Sequence, residues 1–224
     1  MSTAATTTLS GRSRLNLRPS SAAVEGAVRI TANLVGAAGA AYFAYVSLQA
    51  YLVTHRPIGI AFVAEQLVVV VAYLVRHRAR VVTRRFGEWF VAFGGTFTPV
   101  LLRPDGAHPS WGLQAGLALQ VTGLVICFSS FLALGRSFGF AAADRGLVER
   151  GPYEVVRHPI YVSYVLLGAG YVCQSISIRN ALVVLTAVGF NVCRIRAEER
   201  VLATNPAHRS YRARVRWRMI PGIW

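Results

Sequence analysis

The sequence contains no lysine, few acids and few cysteines: nine Asp and Glu residues and three Cys among 224 positions. Each shortage narrows what the chain can be. With 15% charged residues against 54% apolar and a mean hydropathy of +0.45, it lacks both the polar exterior of a soluble domain and the low hydrophobicity of a disordered one. Cys127, Cys173 and Cys193 are odd in number, sit inside apolar runs and show no Cys-x-x-Cys or Cys/His ligand spacing. They imply neither a disulfide framework nor a metal site and read as small core hydrophobes. Residues 1–21 are rich in Ser, Thr, Ala and Arg and hold no compact apolar stretch before a small-residue cleavage site, so the expectation is a disordered cytoplasmic tail and no removed signal peptide.

All 24 basic residues are Arg, and the net charge is +15. Such a charge faces something anionic. Nucleic acid and a headgroup surface both fit, but a nucleic-acid module keeps a polar exterior, whereas this chain has several runs long enough to cross a bilayer. The expected partner is therefore membrane lipid and not nucleic acid. The all-Arg, Ala/Val/Gly-rich composition further suggests a GC-rich bacterial genome, which points to a bacterial inner membrane.

Six apolar segments are separated by polar or Gly/Pro punctuation: Ala22–Val53, Pro57–Val75, Glu88–Leu102, Ser110–Leu134, Pro159–Ile178 and Asn180–Ala203. The third is short and carries Gly94, Gly95 and Pro99, which predicts a tilted, broken or half-inserted helix. If all six cross with the N-terminus inside, twenty arginines fall on the inner side and only Arg56, Arg103 and Arg179 on the outer, with Arg29 near the first helix start. The fold expected is all-α: a polytopic integral membrane helical bundle of about five or six transmembrane helices, both termini cytoplasmic, with a cofactor site at the cytoplasmic face. The organisation reads as a tail (1–21), N-terminal transmembrane helices forming a lipid or acceptor pocket (22–134), and a C-terminal region of cofactor loop, helical hairpin and basic tail (135–224).

Two clusters can carry chemistry. The first is the polar loop Asp144–Arg157 running into His158-Pro159-Ile160-Tyr161. Pro159 suits a first helical turn, so His158 sits near the N-cap and the free amides of that turn, with Arg157 beside them, favour an anionic group. The plainer reading makes Arg157 and His158 interfacial anchors on phospholipid headgroups. The second is Arg194-Ile-Arg-Ala-Glu-Glu-Arg200. Two acids at a helix C-terminus oppose the macrodipole. Either Arg194, Arg196 and Arg200 offset them by pairing along the helix, or one carboxylate faces inward to hold an amine, a ribose hydroxyl or a cationic ligand. Because only a few residues join the fifth and sixth segments, they form an antiparallel hairpin that brings Arg157/His158 and Glu198/Glu199 to one membrane face. Groups for a carboxylate and groups for positive or hydroxyl functions suit a zwitterion bearing a nucleoside, as S-adenosylmethionine is. Glu65, inside the second segment, is an intramembrane acid that pairs with Gln66 or another helix, or is functional.

Gly151-Pro152-Tyr153, Arg157-His158-Pro159-Ile160-Tyr161, Arg196-Ala-Glu-Glu-Arg-Val-Leu202, Tyr211-Arg-Ala-Arg-Val215 and Ile220-Pro-Gly222 occur in an order and spacing that resemble the isoprenylcysteine carboxyl methyltransferase family. The resemblance covers roughly the C-terminal 80 residues. It implies a membrane-embedded S-adenosylmethionine-dependent methyltransferase whose cofactor is held by the loop before the fifth helix (Leu147, Val148, Gly151, Pro152, Tyr153), by His158, Pro159 and Tyr161, and by Glu198 and Glu199. It implies a lipophilic acceptor, a small molecule or a prenylated group, entering between membrane helices, and no metal. Arg157 would steer the acceptor, with His158 or one carboxylate of the Glu pair, such as Glu199, as the base where a hydroxyl is methylated. Ser163 stands where the family usually has Gly, and the N-terminal 130 residues match no family pattern. Two other readings remain: a membrane NADPH-dependent reductase of the sterol and steroid type, which has a related Arg-His hairpin, and a non-catalytic lipid-binding protein.

Overall fold

The computed structural model describes residues 19–224 apart from 56, 57, 78, 80 and 84. Most of the expected N-terminal tail lies outside the described residues, as do Arg12, Arg14, Arg18, Arg56, Arg78, Arg80 and Arg84. Pro19–Ser21, placed in that tail from sequence, already belong to the first helix.

Seven helices follow: α1 (Pro19–Thr54), α2 (Ile58–Val75), α3 (Phe86–Phe97), α4 (Ser110–Leu134), α5 (Pro159–Gln174), α6 (Ile178–Leu202) and α7 (Pro206–Arg214). Among the described residues, four are long and apolar enough to cross a membrane: α1 over Arg29–Val53, α2, α4 and α6. The bundle is therefore an all-α membrane fold, with fewer full-length spans than the apolar segments suggest. Helix α5 has 16 residues, about 24 Å at 1.5 Å per residue, against a hydrocarbon thickness of about 30 Å. It stops at Gln174 because Ile176 leaves the helix to pair with Ala107, each donating its N–H to the other's carbonyl at 2.9 Å. Helix α3 has 12 residues and passes at Thr98 into a 3-10 turn containing Pro99, so the third segment is the short, broken element its composition predicts.

Small residues set the packing, as they do where lipid removes the hydrophobic drive between helices. Helices α4 and α5 meet most extensively. A Cβ on Gly116 would stand 2.5 Å from the Gly170 carbonyl oxygen, and one on Gly170 would stand 2.6 Å from the Gly116 oxygen. Ser163 is fully buried on the same seam, with Gly123 opposite its backbone, so serine fits where glycine was expected. Gly94 and Gly95 play the same part between α3 and α6, where they face the Phe190 ring and the Asn191 and Arg194 side chains. Glu65 is buried between α2 and α4, hydrogen-bonded to Gln66 and to the Cys127 thiol at 3.6 Å.

One side of the bundle is tied by Asn180, fully buried at the first turn of α6. Its amide donates to Arg103 O at 2.8 Å and Ser175 O at 3.0 Å, and its oxygen accepts from Arg103 N at 3.1 Å. Asn180→Ala strands all three backbone groups and is expected to cost about 2–4 kcal/mol of stability, read as a lowered melting temperature. The opposite side carries a short antiparallel ladder, β1 (Val81–Val82) against β2 (Ala143–Asp144), which closes the 135–158 loop over the bundle.

Candidate active site at the α5 and α6 ends

Pro159 opens α5 at the first helical position, and His158 is its N-cap without a side-chain cap hydrogen bond. The ring turns instead to the acidic pair, with Nδ1 3.7 Å from Glu198 Oε2 and Nε2 3.5 Å from Glu199 Oε1. Neither approach satisfies Nε2, which is buried without a hydrogen-bond partner. Main-chain N–H groups of Arg157 and His158 donate to Trp217 O and Arg218 O, both at 2.9 Å, so the C-terminal segment is laid directly against this turn.

Arg157 is buried and turned inward. Its Nε donates to Glu199 Oε1 at 2.8 Å, its Nη2 lies 2.7 Å from the same oxygen, and its Nη1 donates to Val215 O and Arg216 O, both at 2.8 Å. The other Glu199 oxygen accepts from Arg218 Nε at 2.8 Å. Glu199 is thus held between two guanidinium groups from separate parts of the chain. The direct contacts of the helix arginines go elsewhere: Arg200 reaches Glu88 of α3, and Arg194 reaches Thr96 and the Phe140 carbonyl. Glu198 faces the other way, taking a hydrogen bond from the Tyr161 hydroxyl.

A cavity opens between the 137–148 loop, the start of α5 and the end of α6. Of the residues expected to hold the cofactor, Leu147, Val148, Tyr153, His158, Tyr161 and Glu198 line it, as does Arg157. Gly151, Pro152, Pro159 and Glu199 stand outside that lining. Gly151 has φ of +61°, a conformation suited to glycine, and starts the 3-10 turn that carries Tyr153 into the wall. Pro159 is fully buried in the helix start, and Glu199 lies in the ion-pair cluster. The Tyr153 phenol is pushed well above its usual range by burial, so it stays neutral, and its carbonyl accepts from Tyr211 Oη at 2.6 Å.

The lining also includes residues that the sequence did not assign to the cofactor site: Tyr164, Arg145, Arg194, His208 and Tyr211. Arg194 was legible in principle, since it precedes Glu198 by four positions and shares its helix face. Arg145 carried no local signal, because a single arginine in a polar loop beside a membrane reads first as an anchor. Burial, with Arg76 nearby, lowers the Arg145 guanidinium to about 10. The C-terminal segment packs against the Arg157–Glu199 cluster through Arg218 and the 215–218 carbonyls.

Residues 111–206 match the phospholipid methyltransferase family. That stretch spans α4, α5 and α6 with the Gly-Pro-Tyr, Arg-His-Pro and Glu-Glu motifs, whereas the tail motifs lie beyond it. No curated protein matches the chain. The phospholipid methyltransferase family is of the same membrane-embedded type as the isoprenylcysteine carboxyl methyltransferases that the motifs resemble, and over these residues, less than half of the chain, the sequence is similar to membrane methyltransferases of that type.

Proposed function

We propose that the chain transfers the methyl group of S-adenosylmethionine to a carboxylate or hydroxyl oxygen of a lipophilic acceptor, at the cytoplasmic side of a bacterial inner membrane. The observation that carries this reading is the composition of one cavity: Glu198, His158, Arg145 and Arg194 among the rings of Tyr153, Tyr161 and Tyr164. A carboxylate and tyrosine faces suit the ammonium and sulfonium groups of the donor, while guanidinium groups suit an anion. The buried and unpartnered His158 Nε2 and Arg194 Nε mark polar atoms that a ligand can satisfy. The donor set therefore fits.

When bound, the donor would supply a methyl group activated by its sulfonium, which passes to the in-line acceptor oxygen as the carbon–sulfur bond breaks and the neutral thioether S-adenosylhomocysteine leaves. The protein's part is alignment and exclusion of water. Glu198, fixed by Tyr161, presents a carboxylate to the positive end of the donor. Tyr153, Tyr161 and Tyr164 wall the cavity from solvent. A carboxylate acceptor needs only positioning, and the cationic wall favours it over an ammonium. For a hydroxyl acceptor, His158 and Glu198 are the cavity-lining groups able to accept the proton. The Arg157–Glu199–Arg218 cluster holds the start of α5, the end of α6 and residues 215–218 in register, so Arg157 acts as a positioning residue.

Thermal unfolding of detergent-purified protein tests the donor. S-Adenosylhomocysteine at about a hundred times its Kd should raise the melting temperature by about 5 °C, with NADPH giving no shift. Stabilisation by NADPH alone would move the chain to the reductase reading, and stabilisation by neither to the lipid-binding one. Methyl-labelled donor incubated with a bacterial lipid extract, followed by mass spectrometry, then reveals the acceptor.

A further inference from the structure

Arg145 and Arg194 lie in the cavity wall without a carboxylate. Among the described residues, neither guanidinium comes within ion-pair distance of an acid, and the Nε of each is buried with no hydrogen-bond partner. Arg194 is 9% exposed. It threads past Gly95, where a Cβ would stand 3.2 Å from its Cδ, to donate to Thr96 Oγ1 at 3.3 Å and Phe140 O at 2.9 Å. Its guanidinium sits over the Tyr161 ring at 5.3 Å. The Arg145 guanidinium rests on Gly139, whose Cβ would meet Nη1 at 2.0 Å. Both glycines leave room for an arginine to reach the cavity. Glu198, the acid in the same cavity wall, already accepts from Tyr161 and faces His158.

Buried cations without a counter-charge are costly, and the cavity has more of them than its own acids offset. An anion completes the balance. Two guanidinium forks present donors matched to a carboxylate or a phosphate, but Glu198 in the same cavity repels a doubly charged group more than a singly charged one. We propose that Arg145 and Arg194 form a carboxylate-binding pair on the cavity wall, holding either the amino-acid carboxylate of the methyl donor or the carboxylate of the acceptor. This rests on the methyl-transfer reading for the identity of the ligands, though not for the chemistry of the site.

Binding to the purified full-length chain tests it with two pairs of probes: S-adenosylhomocysteine against its decarboxylated analogue, and oleate against oleyl alcohol in competition with a fluorescent fatty acid. In the wild type, one carboxylate-bearing member is expected to bind about tenfold or more tightly than its partner. In Arg145→Gln and Arg194→Gln that preference should fall to threefold or less. Loss of the nucleoside preference assigns the pair to the donor, and loss of the oleate preference assigns it to the acceptor. Both preferences unchanged in the variants, or neither present in the wild type, overturns the proposal. Where Arg194→Gln does not fold, Arg194→Lys, which keeps the charge and loses the fork, and the more exposed Arg145→Gln decide. If the wild type binds neither nucleoside, the methyl-donor reading fails while the oleate comparison still tests the arginine pair.

Discussion

Arg157→Ala is expected to reduce methyl transfer at least about a hundredfold and to lower stability by about 3–5 kcal/mol, with donor binding lost alongside. The guanidinium is the hub of a buried cluster: it satisfies one Glu199 oxygen and the carbonyls of Val215 and Arg216. Truncation leaves a buried carboxylate with Arg218 as its remaining arginine partner and strands two carbonyls in the C-terminal segment packed against the start of α5. Arg157→Lys should not restore activity, because one ammonium cannot reproduce a fork that spans a carboxylate and two carbonyls. Thermal unfolding, S-adenosylhomocysteine binding and turnover on the same preparations separate the roles. A variant with normal stability and donor affinity but impaired turnover would return Arg157 to the acceptor-steering role its motif suggests.

That cluster shows what the sequence could and could not convey. The meeting of Arg157/His158 with Glu198/Glu199 was legible, because a short link between two apolar segments leaves the chain one simple way to fold back. The division of labour between the two acids was not. Adjacent helical positions point about 100° apart, so one acid turns to the cavity and the other to the arginine cluster, and which goes where is fixed by distant partners, Tyr161 for Glu198 and Arg157 and Arg218 for Glu199. The weakness of the third apolar segment was legible from Gly94, Gly95 and Pro99. Its purpose was not, since only the packed structure shows those glycines admitting Phe190 and Arg194. Length misled at α5: the apolar pattern runs through Ile178, but pairing of Ile176 with Ala107 ends the helix at Gln174, and periodicity carries no trace of a long-range bridge.

Gly116→Val should be the most disruptive change outside the site, costing about 3 kcal/mol and abolishing donor binding although the residue touches no part of the cavity. A branched side chain here would have to displace backbone, since even a Cβ stands 2.5 Å from Gly170 O and as close to Gln174 Cγ. Helices α4 and α5 would have to separate, and the Gln174 Nε2 to Gln120 Oε1 bond of 2.9 Å would break with them. The same two helices reach the cavity at their other ends, where Leu134 closes α4 and His158 caps α5, so a shift at the seam misplaces the wall against Glu198. Gly189→Ala is the matched control: nothing lies within 4 Å of its Cβ, and a glycine replaced by alanine inside a helix gains up to about 1 kcal/mol. Unfolding in increasing denaturant, with S-adenosylhomocysteine binding measured in parallel, should place the two variants on opposite sides of the wild type. Equal behaviour of Gly116→Val and Gly189→Ala would show that the α4–α5 seam does not hold the site.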